Sequence, residues 1–578
     1  MSASRNALRV ALCQLNATVG DIDGNAELVL AGIEAARQSG AALAVFPELA
    51  LTGYPPEDLL LREHFLRDAR RALDRVASET KGIAAIIGFP EHAEVAYNAA
   101  AVLCDGTLVG IHRKVHLPNY GVFDEERYFE SGSRGTVFDL GPTRIGVTVC
   151  EDVWMVGSPV ADESLAGAAL IVNISASPYH AGKGAEREQM FAERARENGC
   201  AFAFCGLVGG QDELVFDGHS FVVDASGAVV ARATQFCEEL LLCELELGAQ
   251  RDGPPAAGAD AAPTGEPERP VAMLGQLEAA PATGPVPASR IAELLDPVEA
   301  EIYAALCCGV HDYVVKNGFS DVVLGLSGGI DSALVACIAA DALGPDRVAI
   351  AVLPSPYSAA DSQSDARELA ANLGVRAIEL PIEGVMHAYE ELLAATFTDH
   401  APDVTEENLQ ARIRGNLLMA LSNKCGWLVL TTGNKSEQSV GYSTLYGDAA
   451  GGFAVIKDID KGMVYRLARH RNTSDDAPIP ESILDRAPSA ELRPDQRDDD
   501  SLPPYPLLDE ILRAYVEQDT SRETLIERGY AEDVVDRVIA LVDGAEYKRR
   551  QAPPGIKVTE RAFGRDRRMP LTNRYRDR

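Results

Sequence analysis

The chain has 578 residues, 46% hydrophobic and 24% charged. This is the balance of ordinary globular domains and excludes disorder, collagen and coiled coil as the main theme. At roughly 100–200 residues per domain, the length predicts two to four domains, each with its own core. Lysine plus arginine number 53 against 87 Asp plus Glu, a net charge of −34. A field of that sign repels phosphate backbones and argues against general nucleic-acid binding, leaving room only for local basic clusters that hold a small phosphate ligand.

The opening MSASRNALRVALCQL runs straight into a strand-like segment, without the apolar core of a leader. No uncharged apolar stretch reaches 18 residues, so no membrane span is expected. The 11 cysteines stand singly apart from Cys307 and Cys308, with no C-x-x-C. That usage predicts reduced thiols and a cytoplasmic setting. Only ten of the basic residues are lysine. A chain that prefers arginine elsewhere keeps lysine where a compact ammonium is needed.

Residues 1 to about 248 alternate short apolar runs with helical stretches. LRVALCQL, AALAVFPE, GIAAIIGFPE, NAAAVLC, RIGVTVCED, ALIVNISAS, AFAFCGLVG and SFVVDASG read as strands. Their Val, Ile and Ala content suits strands buried on both faces. Helices are expected between them, for example over 25–39 and 186–198. The alternation predicts an α/β layered domain.

Three strand ends in this half carry polar residues just past an apolar run: VFPE with Glu48, HRK with Lys114 and VTVCED with Cys150. Strand C-termini are where open α/β folds place their chemistry. A cysteine nucleophile needs a base and a cation for the developing oxyanion, roles that Glu and Lys can fill. Taken singly, Cys150 reads more readily as a small buried hydrophobe. Together the segments VFPELALTGY, HRKVHLPNYGVFDE, VTVCEDVW and NISASPYHAGK resemble the nitrilase (carbon–nitrogen hydrolase) superfamily. The resemblance implies an αββα layered domain in which Cys150 attacks a carboxamide, Glu48 shuttles the proton and Lys114 steadies the oxyanion. It also implies that Tyr120, Ser177 and Lys183 hold glutamine.

Residues 249–290 are rich in Pro, Gly and Ala and read as a linker, within which VAMLGQLEAA is able to dock locally. From residue 291 to 316 the pattern is helical. DVVLGL (strand), 332–343 (helix), VAIAVLP (strand), 362–373 (helix), VRAIELP (strand), helices to 425 and WLVLTT (strand) follow. That order predicts a second α/β unit with a Rossmann-like parallel sheet, spanning 291–578 with its tail.

Within it, DVVLGLSGGIDSALVACIAADALG is strand, glycine-rich turn and helix. Glycines let a phosphate approach the backbone, and a helix N-terminus supplies free N–H groups. The segment is not a Walker A loop, and GLSGG also fits a nucleophile elbow centred on Ser327, although no histidine stands in a supporting motif. The complete SGGIDS resembles the N-type ATP pyrophosphatases. TTGNKSE, GGFAVIKDIDKGMVYRLA, RAPSAELRPDQ and EYKRRQAPPG narrow the likeness to NAD synthetases. By that resemblance Gly325, Leu326, Ser327, Gly328, Gly329, Ile330, Asp331, Ser332 and Thr432 contact ATP. Asn408, Glu437 and Lys548 contact deamido-NAD, with Lys461, Asp448 and Ser489 as further candidates. Asp331 and Glu437 would bind Mg²⁺, which favours one or two carboxylates plus phosphate oxygens.

The two halves together resemble the glutamine-dependent NAD synthetases. The resemblance implies ATP-dependent amidation of deamido-NAD with ammonia from glutamine, by a homo-oligomer paired through its synthetase domains. The competing reading is a stand-alone nitrilase or amidase whose second domain only regulates.

Overall fold

Strand β1 (Asn6–Gln14) sends Leu8, Val10 and Leu12 to one side and Ala11 and Cys13 to the other, all of them buried. The same period of two repeats along β3 (Ala84–His92), where Ala84 and Ile86 oppose Ala85, Ile87 and Phe89. Strands apolar on both faces must be covered on both. The computed structural model describes residues 6–247, 266–278, 290–474, 476–494 and 496–575.

In the first unit the remaining strands are β2 (Leu43–Val45), β4 (Ala96–Cys104), β5 (Thr107–Arg113), β6 (Gly135–Leu140), β7 (Thr143–Val149), β8 (Leu170–Ser175), β9 (Ala201–Gly206), β10 (Val208–Gln211), β11 (Leu214–Asp217), β12 (Phe221–Val223), β13 (Val229–Arg232), β14 (Glu239–Leu247) and β15 (Val271–Leu277). They form a six-stranded sheet in the order β14-β1-β2-β3-β4-β5, a seven-stranded sheet in the order β13-β12-β9-β8-β7-β6-β15, and the hairpin β10-β11. One core cluster joins Val10, Val45 and Ile86 of the first sheet to Val147, Val172 and Ala203 of the second, so the sheets pack face to face. The outer face of the first sheet is covered by the helices Ile22–Gln38 and Glu63–Glu79, through Val29, Ile33, Leu73 and Val76. Phe191 and Ala195 of helix Lys183–Asn198 cover the second. These are the four αββα layers that the sequence resemblance implies.

The segment read as a possible local dock within the linker is an edge strand: β15 pairs in parallel with β6, Val271 opposite Gly135. Its short apolar run fills the open edge of the sheet, and an unpaired edge is a liability that a chain covers where it can. Most of the rest of the predicted 249–290 linker lies outside the described residues. Contacts divide the chain into Met1–Gln211 with Val215–Leu295, and Asp212–Leu214 with Asp296–Arg578.

In the second unit β16 (Val322–Gly325), β17 (Val348–Val352), β18 (Arg376–Glu379), β19 (Leu428–Thr431) and β20 (Phe453–Ala454) make a wholly parallel sheet in the order β18-β17-β16-β19-β20. Helix Ile330–Leu343 is buried almost all round and covers one face, as an all-apolar helix must. Leu418 and Leu421 of helix Val404–Cys425 pack on the other, against Val323, Ala349 and Val429. The helix expected from residue 291 begins instead at Val298. Pro297 sits at its N-cap, and a proline keeps the preceding residue out of the helical region.

Candidate active sites

Each residue of the first set follows a strand: Glu48 lies three residues beyond β2, Lys114 directly follows β5 and Cys150 directly follows β7. All three are buried, Glu48 at 0%, Lys114 at 1% and Cys150 at 3% exposure. Lys114 Nζ donates to Glu48 Oε1 at 2.8 Å. It also donates to both carboxylate oxygens of Glu125 at 2.9 Å. The second oxygen of Glu48 accepts from the Ala176 N–H at 2.7 Å, and Asn98 Nδ2 donates to Oε1 at 2.7 Å. Glu125 accepts from Tyr54 OH at 2.9 Å.

Burial alone would lower the Lys114 pKa, but Glu125, Glu48 and the Cys150 sulfur outweigh it and hold the ammonium charged. Burial pushes the Glu125 carboxyl up to about 7, against the pull of Lys114. Burial and the negative field of Glu48 push the Cys150 thiol well above its ordinary range, with Lys114 opposing. Cys150 is thereby favoured as a thiol, and to act as a nucleophile it would need an adjacent base to take its proton. Cys150 has φ 44°, the left-handed region disfavoured for residues with a Cβ. Its backbone is held there by the Cys150 N–H donating to Ile174 O at 2.8 Å, and strain of this kind is kept where surrounding bonds over-determine it.

Asp152 explains how the turn at Cys150 and Lys114 keep register. Its Oδ1 accepts from the N–H groups of Val115 and His116, both at 2.9 Å. Its Oδ2 accepts from the Val149 N–H at 3.0 Å and lies 3.2 Å from His112 Nε2. One buried carboxylate thus ties the residue before Cys150 to the residues after Lys114. Sequence reasoning missed Glu125, Asn98 and Asp152. Glu125 and Asp152 stand inside segments already singled out, HRKVHLPNYGVFDE and VTVCEDVW, whereas Asn98 carries no motif.

Of the residues expected around glutamine, Ser177 is buried two residues past β8 and Lys183 opens helix Lys183–Asn198, its Nζ donating to Pro178 O at 2.7 Å. Tyr120 is exposed, its hydroxyl 3.1 Å from both carboxylate oxygens of Glu151. Glu151 follows Cys150 directly. Burial raises its pKa while Tyr120, Lys114 and Lys183 pull it down.

The second site lies where the strand order reverses, between β16 and β19, the position at which open parallel sheets bind ligands beyond their strand ends. Residues 326–329 follow β16 and lead into helix Ile330–Leu343. Gly328 has φ +83°, and a Cβ there would stand 2.2 Å from Ser362 O, so only glycine fits. Ser327 Oγ accepts from the Gly329 N–H at 3.2 Å and lies 3.1 Å from Ser332 Oγ. These bonds shape a turn; among the described residues no histidine bonds to Ser327, as a nucleophile elbow would require.

A cavity of about 300 Å³ opens here. Gly325, Leu326, Ser327, Gly328, Gly329, Ile330, Asp331 and Ser332 line it, with Thr432, Glu437, Asp448, Lys461 and Ser489. Lys461 Nζ binds Asp331 Oδ2 and lies 3.3 Å from Glu437 Oε1, so both carboxylates converge on one cation. Asn434 Nδ2 donates to the other oxygen of Asp331 at 2.8 Å. Burial raises the Glu437 carboxyl to about 8, with Lys461 pulling down and Asp331 pushing up. Arg486, missed in the sequence although RAPSAELRPDQ contains it, donates to Gly328 O at 2.9 Å and pairs with Asp365.

Asn408 and Lys548 do not line the cavity. Asn408 Oδ1 accepts from Thr444 Oγ1 at 2.8 Å, and Lys548 Nζ donates to Gly441 O and Ser443 O at 2.7 Å each. Both grip the segment that follows helix Lys435–Val440, whose Tyr442, Thr444 and Asp448 face the cavity.

These two sites define a chain that joins a carbon–nitrogen hydrolase to an NAD synthase: the family descriptions "Carbon-nitrogen hydrolase" and "NAD synthase" match residues 9–252 and 302–552. The chain is 47% identical to a glutamine-dependent NAD(+) synthetase of Thermotoga maritima, over 99% of both chains. It is 48% identical to one of Xylella fastidiosa, over 98% of this chain and 99% of that one. A solved glutamine-dependent NAD+ synthetase of Acinetobacter baumannii, in complex with adenosine diphosphate, is 39% identical with a TM-score of 0.74, covering 99% and 100% of the two chains. The chain belongs to the glutamine-dependent NAD(+) synthetase family.

Proposed function

We propose that this chain hydrolyses glutamine at Cys150 and uses the ammonia to amidate deamido-NAD in its second unit, at the expense of ATP. The observation that carries the reading is the presence, on one chain, of a buried Cys, Glu and Lys set and a glycine-rich turn at a sheet's switch point. A stand-alone amidase would have no need of the second.

In the first site Cys150 Sγ attacks the side-chain carboxamide carbon of glutamine while Glu48 takes the thiol proton. Lys114 faces the oxyanion, and Glu48 returns the proton to the departing ammonia. Water then cleaves the thioester, Glu48 again accepting a proton, and glutamate leaves. Tyr120, Ser177, Lys183 and Glu151 are the residues that hold the amino acid; Glu151 would face its α-ammonium.

In the second site the nicotinate carboxylate of deamido-NAD attacks the α-phosphorus of ATP and pyrophosphate departs. Ammonia then attacks the acyl carbon, and AMP leaves with the amide formed. The N–H groups of Gly328 and Ile330 and the side chains of Ser327 and Ser332 hold the phosphates. Thr432 completes the ATP site, while Glu437 and the segment gripped by Asn408 and Lys548 hold deamido-NAD. Asp331 and Glu437 fit Mg²⁺: two hard carboxylates already converge on a cation, Lys461, and two are what Mg²⁺ takes when phosphate oxygens and water fill its shell. When bound, the ion neutralises charge on the departing pyrophosphate.

Helix Val404–Cys425 buries only Gln410, Ala411, Ile413 and Gly415, and helix Glu383–Leu393 beside it buries nothing. Leu392, Val404 and Tyr389 are exposed there. Apolar side chains left exposed on these two helices support pairing of two copies through the second unit. All 11 cysteines are free, which supports a cytoplasmic setting; no described helix is long and apolar enough to cross a membrane.

The deciding experiment measures NAD formation from deamido-NAD and ATP with glutamine and with ammonium as alternative nitrogen donors, following pyrophosphate in parallel. Pyrophosphate release that ignores deamido-NAD, or none at all, would sink the reading.

A further inference from the structure

The NAD synthase match ends at residue 552, yet the chain that follows is woven into the second site. The Ala454 N–H donates to Pro554 O at 2.8 Å, so this segment extends the sheet alongside β20. The approach is close: a Cβ on Gly555 would stand 2.3 Å from Ala454 O. Lys457 Nζ donates to Pro553 O at 2.7 Å. Further on, Asp458 Oδ2 accepts from the N–H groups of Val558 and Thr559 at 2.9 and 2.8 Å.

One buried ammonium closes the arrangement. Lys435, the lysine of TTGNKSE, reaches Asp458 Oδ1 at 2.9 Å, Glu517 Oε1 at 2.5 Å, Thr559 Oγ1 at 2.8 Å and Arg561 O at 3.1 Å. Lys435 and Asp458 are each 4% exposed. Their neighbours in sequence are the groups on the cavity wall. Lys435 stands between Asn434, which holds Asp331, and Glu437; Asp458 stands three residues before Lys461. The two loops are also bonded directly, the Lys435 N–H to Ile459 O at 2.8 Å and the Lys461 N–H to Ser436 Oγ at 2.9 Å. A point charge with three donors suits this meeting of acceptors from several elements, and a planar guanidinium does not.

We propose that residues 553–561 are a working part of the adenylation site, and that Lys435 is the positioning residue that locks them onto Asp458 and so fixes Glu437 and Lys461. The inference rests on the proposed adenylation at this site. Groups behind a reacting shell hold its geometry, and their loss slows turnover by about 10–100-fold in comparable ligand shells.

The test measures ammonium-driven NAD formation by the full chain carrying Lys435→Met, with kcat and KM for ATP and deamido-NAD determined separately. Glutamine hydrolysis and a thermal melt report on the fold. A fall of about 10–100-fold in kcat with KM little moved is expected. Because Lys435→Met strands the buried Asp458 and the half-buried Glu517, Thr559→Val serves as the gentler variant: it keeps volume, removes one partner of Lys435 and one of Asp458, and should lower kcat in the same direction by less. Wild-type kcat in either variant with the fold intact overturns the inference, as does a raised KM with kcat unchanged. Wild-type protein that makes no pyrophosphate from ATP and deamido-NAD overturns the adenylation reading itself, a distinct result.

Discussion

Lys114→Arg separates an oxyanion cation from a mere charge balance. The Lys114 side chain is wholly buried, its Nζ 2.8 Å from Glu48 and 2.9 Å from Glu125. Arginine keeps the charge, so neither carboxylate is stranded. Its fork is longer, planar and wider than an ammonium, and a slot closed by two carboxylates cannot hold it without shifting neighbours. Overpacking of this kind costs about 1–3 kcal/mol of stability. The displaced cation no longer meets the oxyanion as a point charge, and loss of one such donor costs about 100- to 1000-fold in turnover, or about 2.7–4 kcal/mol. Ammonia release from glutamine is measured beside ammonium-driven NAD formation and a thermal melt. The first should fall by that factor, the second should stay near wild type, and the melt should drop modestly. Glutamine hydrolysis within a few-fold of wild type in the folded variant would refute the reasoning and leave Lys114 as counter-ion alone.

Cys150→Ala should abolish glutamine-driven NAD formation and leave ammonium-driven formation largely intact, as read by the same paired assay. Asp152→Asn offers one acceptor oxygen where two are used, stranding a buried N–H at a cost of about 1–3 kcal/mol. Both the melting temperature and glutamine hydrolysis should fall. Glu125 has its pKa raised to about 7 in the fold, so the protonated form is favoured there: its stabilising contribution is complete below the ordinary value of 4.5 and is lost as pH rises through about 7. Melts of wild type and Glu125→Gln at pH 5 and pH 8 should show wild type losing more over that interval. Asp331→Asn should stop NAD formation from both nitrogen donors and spare basal glutamine hydrolysis; pyrophosphate release with unchanged Mg²⁺ dependence would remove Asp331 from the metal's shell.

What the sequence carried was local. Strand then polar residue marked Glu48, Lys114 and Cys150, and strand, glycine turn and helix marked residues 325–332, because both patterns are written in consecutive residues. The parallel order of the second sheet followed from alternating strands and helices. The reversal between β16 and β19, which brings SGGIDS beside TTGNKSE, was not readable, since pairing order is set by contacts a hundred residues apart. Asp152 was invisible for another reason: apart from His112, its partners are backbone N–H groups, those of Val115, His116 and Val149, and backbone groups leave no mark in a sequence. β15 was missed as a strand because a short run among Pro, Gly and Ala shows no sustained periodicity, yet an open sheet edge nearby was enough to recruit it.

The scarcity of lysine gains a physical reason from the two sites. In a chain of net charge −34, cations exposed at random would be held by whichever carboxylate lay nearest. Lys114, Lys435 and Lys461 are instead buried, and each grips acceptors from at least two separate segments at one point. A buried charge of this kind is tolerated only when paired on several sides, and the pairing fixes where its neighbours stand. Lys114 sets Glu48 against Glu125, Lys461 sets Asp331 against Glu437, and Lys435 sets the chain beyond residue 552 against Asp458. An arginine fork satisfies two parallel acceptors in a plane, whereas these acceptors converge from different directions. At these three points the chain departs from its preference for arginine and sets a compact charge among acceptors from several elements.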